Sequence, residues 1–312
     1  MTIAVLSVLV RPLIENRLPA DIDVRWFMSK EEAFALAPTA EIGWFDMYDK
    51  ADMAEAVTRA TNLKWLNSIY AGVDGMPLDL LTQRGVTFTN GVGINAITIA
   101  EYVVMGMLTV AKGYRDVIRA QERREWLQDS PGKVELFGSK ALIIGYGAIG
   151  SLVEERLKAF NVDVSVVRRT PAPNTLSPDQ WRARLGEFDW VILAVPATAE
   201  TDKMIGAAEL AAMKPSTTLI NIARGSVIDQ DALVTALSAK AIGAAFLDVT
   251  DPEPLPADHP LWALDNAHIT MHLSGRAQDK MFVRSAERFL ENLSRYRAGE
   301  ALHHQVNLAL GY

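Results

Sequence analysis

The segment ALIIGYGAIGSLVEERLKAF (141–160) constrains this chain more than any other. An apolar run enters Gly145-Tyr146-Gly147-Ala148-Ile149-Gly150, and helical spacing follows. A strand that turns on G-x-G-x-x-G and opens a helix is the unit that holds a dinucleotide pyrophosphate. The first glycine permits the tight turn. The second lets backbone approach phosphate with no Cβ in the way, and the third lets helix pack closely on strand. The phosphates then meet the free N–H groups and positive dipole end of the helix starting near Ala148. The alternative is a glycine-rich turn that only packs. The strand–turn–helix context favours the dinucleotide, with Gly145, Gly147, Ala148, Ile149 and Gly150 at the cofactor.

The next strand, VSVV (164–167), ends in Arg168-Arg169-Thr170. An acidic reader of the adenosine ribose is expected about 20 residues past the glycines. Arg168 stands 23 positions after Gly145. A carboxylate there would accept from the ribose hydroxyls and repel a 2′-phosphate. Arginine does the reverse, because its planar fork donates to phosphate oxygens. Thr170 adds a hydroxyl donor. These residues predict NADP(H) in preference to NAD(H). The other reading is a solvated strand end that tolerates NAD.

The chain is net acidic, with 31 Lys and Arg against 38 Asp and Glu. It therefore has no global attraction for nucleic acid or an anionic membrane, and an anionic ligand needs a local basic cluster. There is no cysteine, which removes disulfides, zinc–thiolate sites and thiol nucleophiles. No metal is expected. MTIAVLSVLVRPL lacks a charged n-region and reads as a first buried strand rather than a signal peptide. Apolar stretches are interrupted before the ~18 residues of a membrane span. A cytoplasmic location is the default expectation.

Over 312 residues, strands alternate with helices in two series, with no repeat and no low-complexity tract. IAVLSVLV, EIGWF, LKWLNSIY and VTFTN read as strands, with KEEAFALAP and DMAEAVTRA as helices between them. A long helical pattern runs from Ala96 to about Leu127, followed by the turn-rich QDSPGKVELFGSK. Then ALIIG, VDVSVV, WVILAV, TTLINI, GAAFLDV and AHITM read as strands. RAQDKMFVRSAERFLENLSRYRAG is helical to Gly299. Alternation of this kind predicts an α/β fold: two Rossmann-like domains with doubly wound parallel sheets and a cleft between them. A C-terminal helix returning to the first unit would make that domain discontinuous. The expected division is 1–95 plus 280–312 for a substrate-binding (catalytic) domain, and 96–279 for the dinucleotide-binding domain. The apolar 96–127 pattern suits either a subunit interface or a core-facing helix.

From VELFGSKALIIGYGAIG onward the chain resembles the D-isomer-specific 2-hydroxyacid dehydrogenases. LINIARGSVIDQDALVTAL (219–237), GAAFLDVTDPEPLP (243–256) and HITMHLSG (268–275) resemble the segments carrying that family's arginine, acid and histidine. SIYAGVDGM (68–76) resembles its substrate-side glycine loop, and RAGEALHHQVN its tail, so the likeness spans nearly the whole chain. The resemblance implies catalytic roles for Arg224, Glu253 and His272. Arg224, after an apolar strand, would clamp the carboxylate of a 2-oxo acid and polarise its carbonyl. His272 would supply the proton that ketone reduction requires. Glu253 would pair with it and fix its ring. Asp251 competes with Glu253 by chemistry, and motif position alone favours Glu253.

The resemblance also implies cofactor contacts at Val195, Pro196, Ile222 and Ala223, and places Asp248 beside the nicotinamide carboxamide. The Tyr70–Asp74 loop, at Ala71 and Gly72, would offer N–H donors to substrate. Glu101, in a buried-looking helix, reads as structural, as do His259, His268, His303 and His304. One departure stands out: the family's histidine usually follows a proline, and here Met271 takes that place, which changes local backbone stiffness.

The expectation is an NADPH-dependent reductase of glyoxylate or hydroxypyruvate to the D-2-hydroxy acid, working as a homodimer. The alternatives are a dehydrogenase for a bulkier 2-oxo acid and a non-catalytic NADP(H)-sensing protein on the same scaffold. A short-chain dehydrogenase fares worse, because no Tyr-x-x-x-Lys is present.

Overall fold

The computed structural model describes residues 1–311 apart from 171, 174 and 277. The chain folds as two compact units, Met1–Asn95 with Ala277–Tyr312, and Ala96–Arg276. Each is built on one parallel sheet with helices on both faces.

The first unit holds β1 (Thr2–Ser7), β2 (Ile22–Phe27), β3 (Ile42–Trp44), β4 (Trp65–Asn67) and β5 (Thr87–Thr89). They lie in the order β2-β1-β3-β4-β5, every pair parallel. Side chains alternate between two cores. Val5, Leu66 and Phe88 enter one, while Ala4, Leu6 and Trp65 enter the other. Burial on both faces is why these strands read as continuous apolar runs. Helix Gln278–Ala298 covers the second face. Phe289 is fully buried, with its ring centre 5.1 Å from that of Trp65 and 5.0 Å from that of Trp44. Each such aromatic pair adds about 0.5–1.5 kcal/mol beyond its area burial. The Tyr296 hydroxyl donates to Glu41 at 2.9 Å, tying the end of that helix to the start of β3.

The second unit holds β6 (Lys140–Ile144), β7 (Asp163–Val167), β8 (Trp190–Leu193), β9 (Thr218–Asn221), β10 (Ala244–Leu247) and β11 (Ala267–Ile269). The order is β11-β10-β9-β8-β6-β7, all parallel. Ala141 and Ile143 enter one core, Leu142 and Ile144 the other. Strand order reverses at β6, so the glycine turn leaves its carboxyl end at the topological switch point, where open α/β sheets bind ligands.

Several elements differ from the sequence expectation. The pattern from Ala96 is two helices, Ala96–Ala111 and Tyr114–Glu122, bent by 69°. Gly113 breaks it at φ +59°, a left-handed conformation that glycine adopts without penalty. Apolar spacing continues across the break, so periodicity does not register it. Ala100, Val103, Met107 and Ala111 pack onto the second unit's sheet. Gly106 lets the helix approach Phe246, since a Cβ there would come within 2.8 Å of that ring. Glu101 is exposed rather than buried, on the helix face shared with Ile97 and Met105. The first strand stops at Ser7, whose hydroxyl accepts from Leu9 N–H and turns the chain into a short 3-10 segment. Strand β2 and helices Leu78–Gln83 and Ala207–Ala212 were not expected. Among the described residues, no single helix is long and apolar enough to cross a membrane.

Candidate active site

The three turn glycines do three different jobs. Gly145 has φ +103°, and a Cβ there would lie 2.5 Å from the Ala194 carbonyl oxygen. Gly147 caps helix Ala148–Ala159, and a Cβ on it would meet nothing within 4 Å. The space before the helix N-terminus is therefore open to a ligand. Gly150 lies against the turn, where a Cβ would come 2.3 Å from the Gly145 oxygen. Open space, free helical N–H groups and the positive dipole end together fit a pyrophosphate. Ala148 is exposed and Ile149 half-buried at this helix start.

Arg168 is half-buried at the end of β7, with Arg169 and Thr170 exposed beyond it. The chain then returns to the strand: Leu176 N–H donates to the Val166 carbonyl at 2.8 Å, and Arg168 N–H to that of Leu176 at 3.2 Å. Val195 and Pro196 follow β8, and the Pro196 carbonyl accepts from the Thr201 hydroxyl at 2.7 Å. Ile222 and Ala223, just past β9, are buried.

Arg224 follows in extended backbone at φ −146°. Asn221, wholly buried at the end of β9, holds this exit. Its amide donates to the Arg224 carbonyl at 2.9 Å, and its oxygen accepts from Ala223 N–H at 3.0 Å. Gly225 then touches the neighbouring loop, where a Cβ would fall 2.0 Å from the Thr250 oxygen. That loop carries Glu253. One Glu253 oxygen accepts from Thr250 N–H at 3.1 Å, and the other meets His272 Nδ1 at 2.8 Å. The competing Asp251 is held elsewhere, with its backbone N–H and carbonyl both bonded to Gln230. Burial raises the affinity of Glu253 for a proton. The hydrogen bond and charge of His272, Thr250 N–H and the positive Arg224 outweigh it and hold this carboxyl below the usual range. Both partners keep solvent access, with side chains 49% and 36% exposed for His272 and Glu253, as a group exchanging protons with a ligand requires.

His272 sits in a left-handed pair, with Met271 at φ +55° and His272 at φ +56°. Such backbone is sparsely populated by non-glycine residues, least of all in succession. Asp248 supports it. Its buried carboxylate accepts from the Thr270 hydroxyl at 2.8 Å, from Leu273 N–H at 3.0 Å and Ser274 N–H at 3.1 Å, and from the Ser274 hydroxyl. The Asp248 carbonyl accepts from His272 N–H at 2.6 Å. Four donors thus commit this carboxylate to shaping the histidine loop. Proline, locked near φ −65°, could not occupy the left-handed position that Met271 takes.

In the first unit, Ala71 is exposed and Gly72 half-buried. The Ala71 carbonyl accepts from the Asn90 amide at 2.6 Å, and Tyr70 N–H donates to the Ser68 hydroxyl at 3.1 Å. The base of this loop is held by Asp46, which sequence reasoning missed. Its carboxylate accepts from the Ser68 hydroxyl, Ile69 N–H and the Trp44 indole N–H, each at 2.6 Å. Burial pushes the Asp46 carboxyl up to about 6, against those three hydrogen bonds. The signal was the acid that closes the apolar run IGWF (42–45).

The remaining histidines do local work. His259 Nδ1 accepts from Leu261 N–H at 3.2 Å and caps a 3-10 turn. Burial pulls His268 down to about 4, and His303 pairs with Glu291 at 3.2 Å. Among the described residues, no group of three or more His, Asp or Glu could hold a metal.

The profile of the D-isomer specific 2-hydroxyacid dehydrogenase NAD binding domain matches residues 104–274. The chain is 32% identical to glyoxylate/hydroxypyruvate reductase B of Pectobacterium atrosepticum, over 96% of this chain and 98% of that one. It is 32% identical to the D-3-phosphoglycerate dehydrogenase of Archaeoglobus fulgidus over 83% of this chain, and spans about half (50%) of that longer protein. The D-isomer specific 2-hydroxyacid dehydrogenase of Xanthobacter autotrophicus Py2, solved with NADPH and MES, superposes with a TM-score of 0.78. It shares 26% identity, with 100% of this chain and 99% of that one covered. The chain belongs to the D-isomer specific 2-hydroxyacid dehydrogenase family. Its second unit is a nicotinamide-dinucleotide-binding domain.

Proposed function

We propose that the protein reduces small 2-oxo acids, glyoxylate and hydroxypyruvate, to D-2-hydroxy acids with NADPH. The observation that carries this reading is the Glu253–His272 pair at 2.8 Å, with the positive charge of Arg224 acting on the same carboxylate. Gly145, Gly147, Ala148, Ile149 and Gly150 would hold the pyrophosphate, and Arg168, Arg169 and Thr170 a 2′-phosphate. Val195, Pro196, Ile222 and Ala223 would line the dinucleotide. When bound, the reduced nicotinamide supplies the hydride. Arg224 grips the substrate carboxylate through its two-pronged fork and polarises the adjacent carbonyl. His272 Nδ1 is taken by Glu253, which leaves Nε2 to donate a proton to the carbonyl oxygen. Glu253 stabilises the charged ring before the transfer and fixes its plane. Ala71 and Gly72 would offer backbone N–H donors to a carboxylate, as the family resemblance implies. Asp248 acts through the histidine loop. A cytoplasmic location and a homodimer are part of this proposal, and the exposed apolar Ile97 and Met105 would suit a subunit contact.

The test is a steady-state screen of glyoxylate, hydroxypyruvate, pyruvate and bulkier 2-oxo acids with NADPH and NADH, repeated in Arg168→Ala. The smallest acids with NADPH give the highest kcat/KM, and Arg168→Ala lowers it for NADPH about 10-fold or more, a charge-assisted hydrogen bond being lost. Equal kcat/KM for the two cofactors in the parent protein removes the NADPH preference. A maximum at a bulky side chain moves the substrate class. NADPH binding without turnover of any acid makes the protein a sensor.

A further inference from the structure

The first residue inside the glycine turn, Tyr146, is not glycine-like in any respect, and its ring has a defined place. The ring, partly buried, packs against the core cluster that includes Ile143 and Val166. Its hydroxyl donates to Glu154, on the second turn of helix Ala148–Ala159, and Glu154 pairs in turn with Lys158 at 2.8 Å. That chain fixes the ring's rotation from one end. The guanidinium of Arg168 lies over the ring, with Cζ 5.8 Å from its centre. A cation within about 6 Å of an aromatic face is attracted to it. Arginine on a strand end otherwise has many rotamers to lose on binding, and stacking removes part of that cost beforehand.

We infer that Tyr146 is a cofactor-selectivity residue: a platform, oriented by Glu154, that presents Arg168 to the phosphate on the adenosine ribose. The inference rests on the NADPH reading above and deepens it. Selectivity then belongs to a pair of residues 22 positions apart in the chain rather than to the strand-end arginines alone.

The readout is the ratio of kcat/KM for NADPH to that for NADH; a general loosening of the turn lowers both values and leaves the ratio unmoved. Tyr146→Leu lowers this ratio by roughly two- to fivefold, the range expected for one exposed cation–π contact. Tyr146→Phe keeps the ring face but loses the bond to Glu154, and lowers the ratio by less than Tyr146→Leu does. In an Arg168→Ala background, Tyr146→Leu produces no further fall, because the partner it positions is gone. Tyr146→Met replaces Tyr146→Leu if a thermal melt shows the latter unfolded. A ratio unchanged in Tyr146→Leu, or an equal fall with and without Arg168, overturns the inference while the NADPH reading stands. A ratio unchanged in Arg168→Ala itself overturns the NADPH reading first, and the inference with it.

Discussion

His272→Asn lowers kcat for 2-oxo acid reduction by about 10²–10⁴-fold, the usual contribution of a positioned acid–base group. Asparagine retains a hydrogen-bonding side chain of similar reach, and it tolerates the left-handed backbone found at 272 better than most residues. The fold and the loop pinned by Asp248 therefore persist, and the loss falls on the proton. The dissociation constant for NADPH, measured by fluorescence titration, changes little, because the turn glycines and Arg168 lie on other loops. A kcat within about threefold of the parent would show that another group protonates the carbonyl oxygen. The carboxylate partner sets the acid limit of the pair. Glu253 is held below its ordinary range, so it is ionised throughout the neutral and mildly acidic region. Its contribution to stability is present above the unfolded-state value of 4.5 and is lost only as pH falls through the lowered folded value.

Arg224→Lys, conservative in charge, lowers kcat/KM for the oxo acid by about 10²–10³-fold, comparable to losing a donor aimed at a developing oxyanion. Lysine supplies one point charge where arginine supplies a planar fork matched to a carboxylate. Both KM for the oxo acid and kcat respond, since in the proposed reaction the same side chain holds the carboxylate and polarises the carbonyl. The KM for NADPH stays near the parent value. Asn221 and the contact of Gly225 with Thr250 hold the backbone at 224 independently of the side chain, so the variant folds. An unchanged kcat/KM for the oxo acid would mean that the substrate carboxylate is bound elsewhere.

Much of this arrangement was legible in the sequence, for a physical reason. The glycine turn is a local device: within six residues Gly145 takes the left-handed turn and Gly150 the close approach of helix to turn. Arg224, Glu253 and His272 were legible only as ordered motifs at strand ends. That Nδ1 of His272 meets Glu253 and not Asp251 depends on Gln230, which binds the Asp251 backbone from a distant helix. Asp248 was read as a cofactor contact. Its work on the histidine loop is invisible in sequence, because three of its four donors belong to Leu273 and Ser274, whose positions depend on the turn they make. Met271 looked like the loss of a stiffening proline. In the fold it permits a backbone form that proline forbids. Strand β2 was missed although Ile22, Val24 and Trp26 alternate with Asp23 and Arg25. It is an edge strand whose polar residues pair with each other at 3.1 Å, and its mixed polarity gave no continuous apolar run. The break at Gly113 was missed because a single left-handed residue leaves the spacing of apolar positions nearly intact.

The most direct test of the account is the oxidation of NADPH by the purified protein with hydroxypyruvate at neutral pH, followed by the nicotinamide absorbance, with the product resolved on a chiral column. The account predicts saturable turnover, a product that is D-glycerate alone, and loss of that turnover in His272→Asn. Turnover yielding the L-isomer, or a rate that survives in His272→Asn, would contradict it.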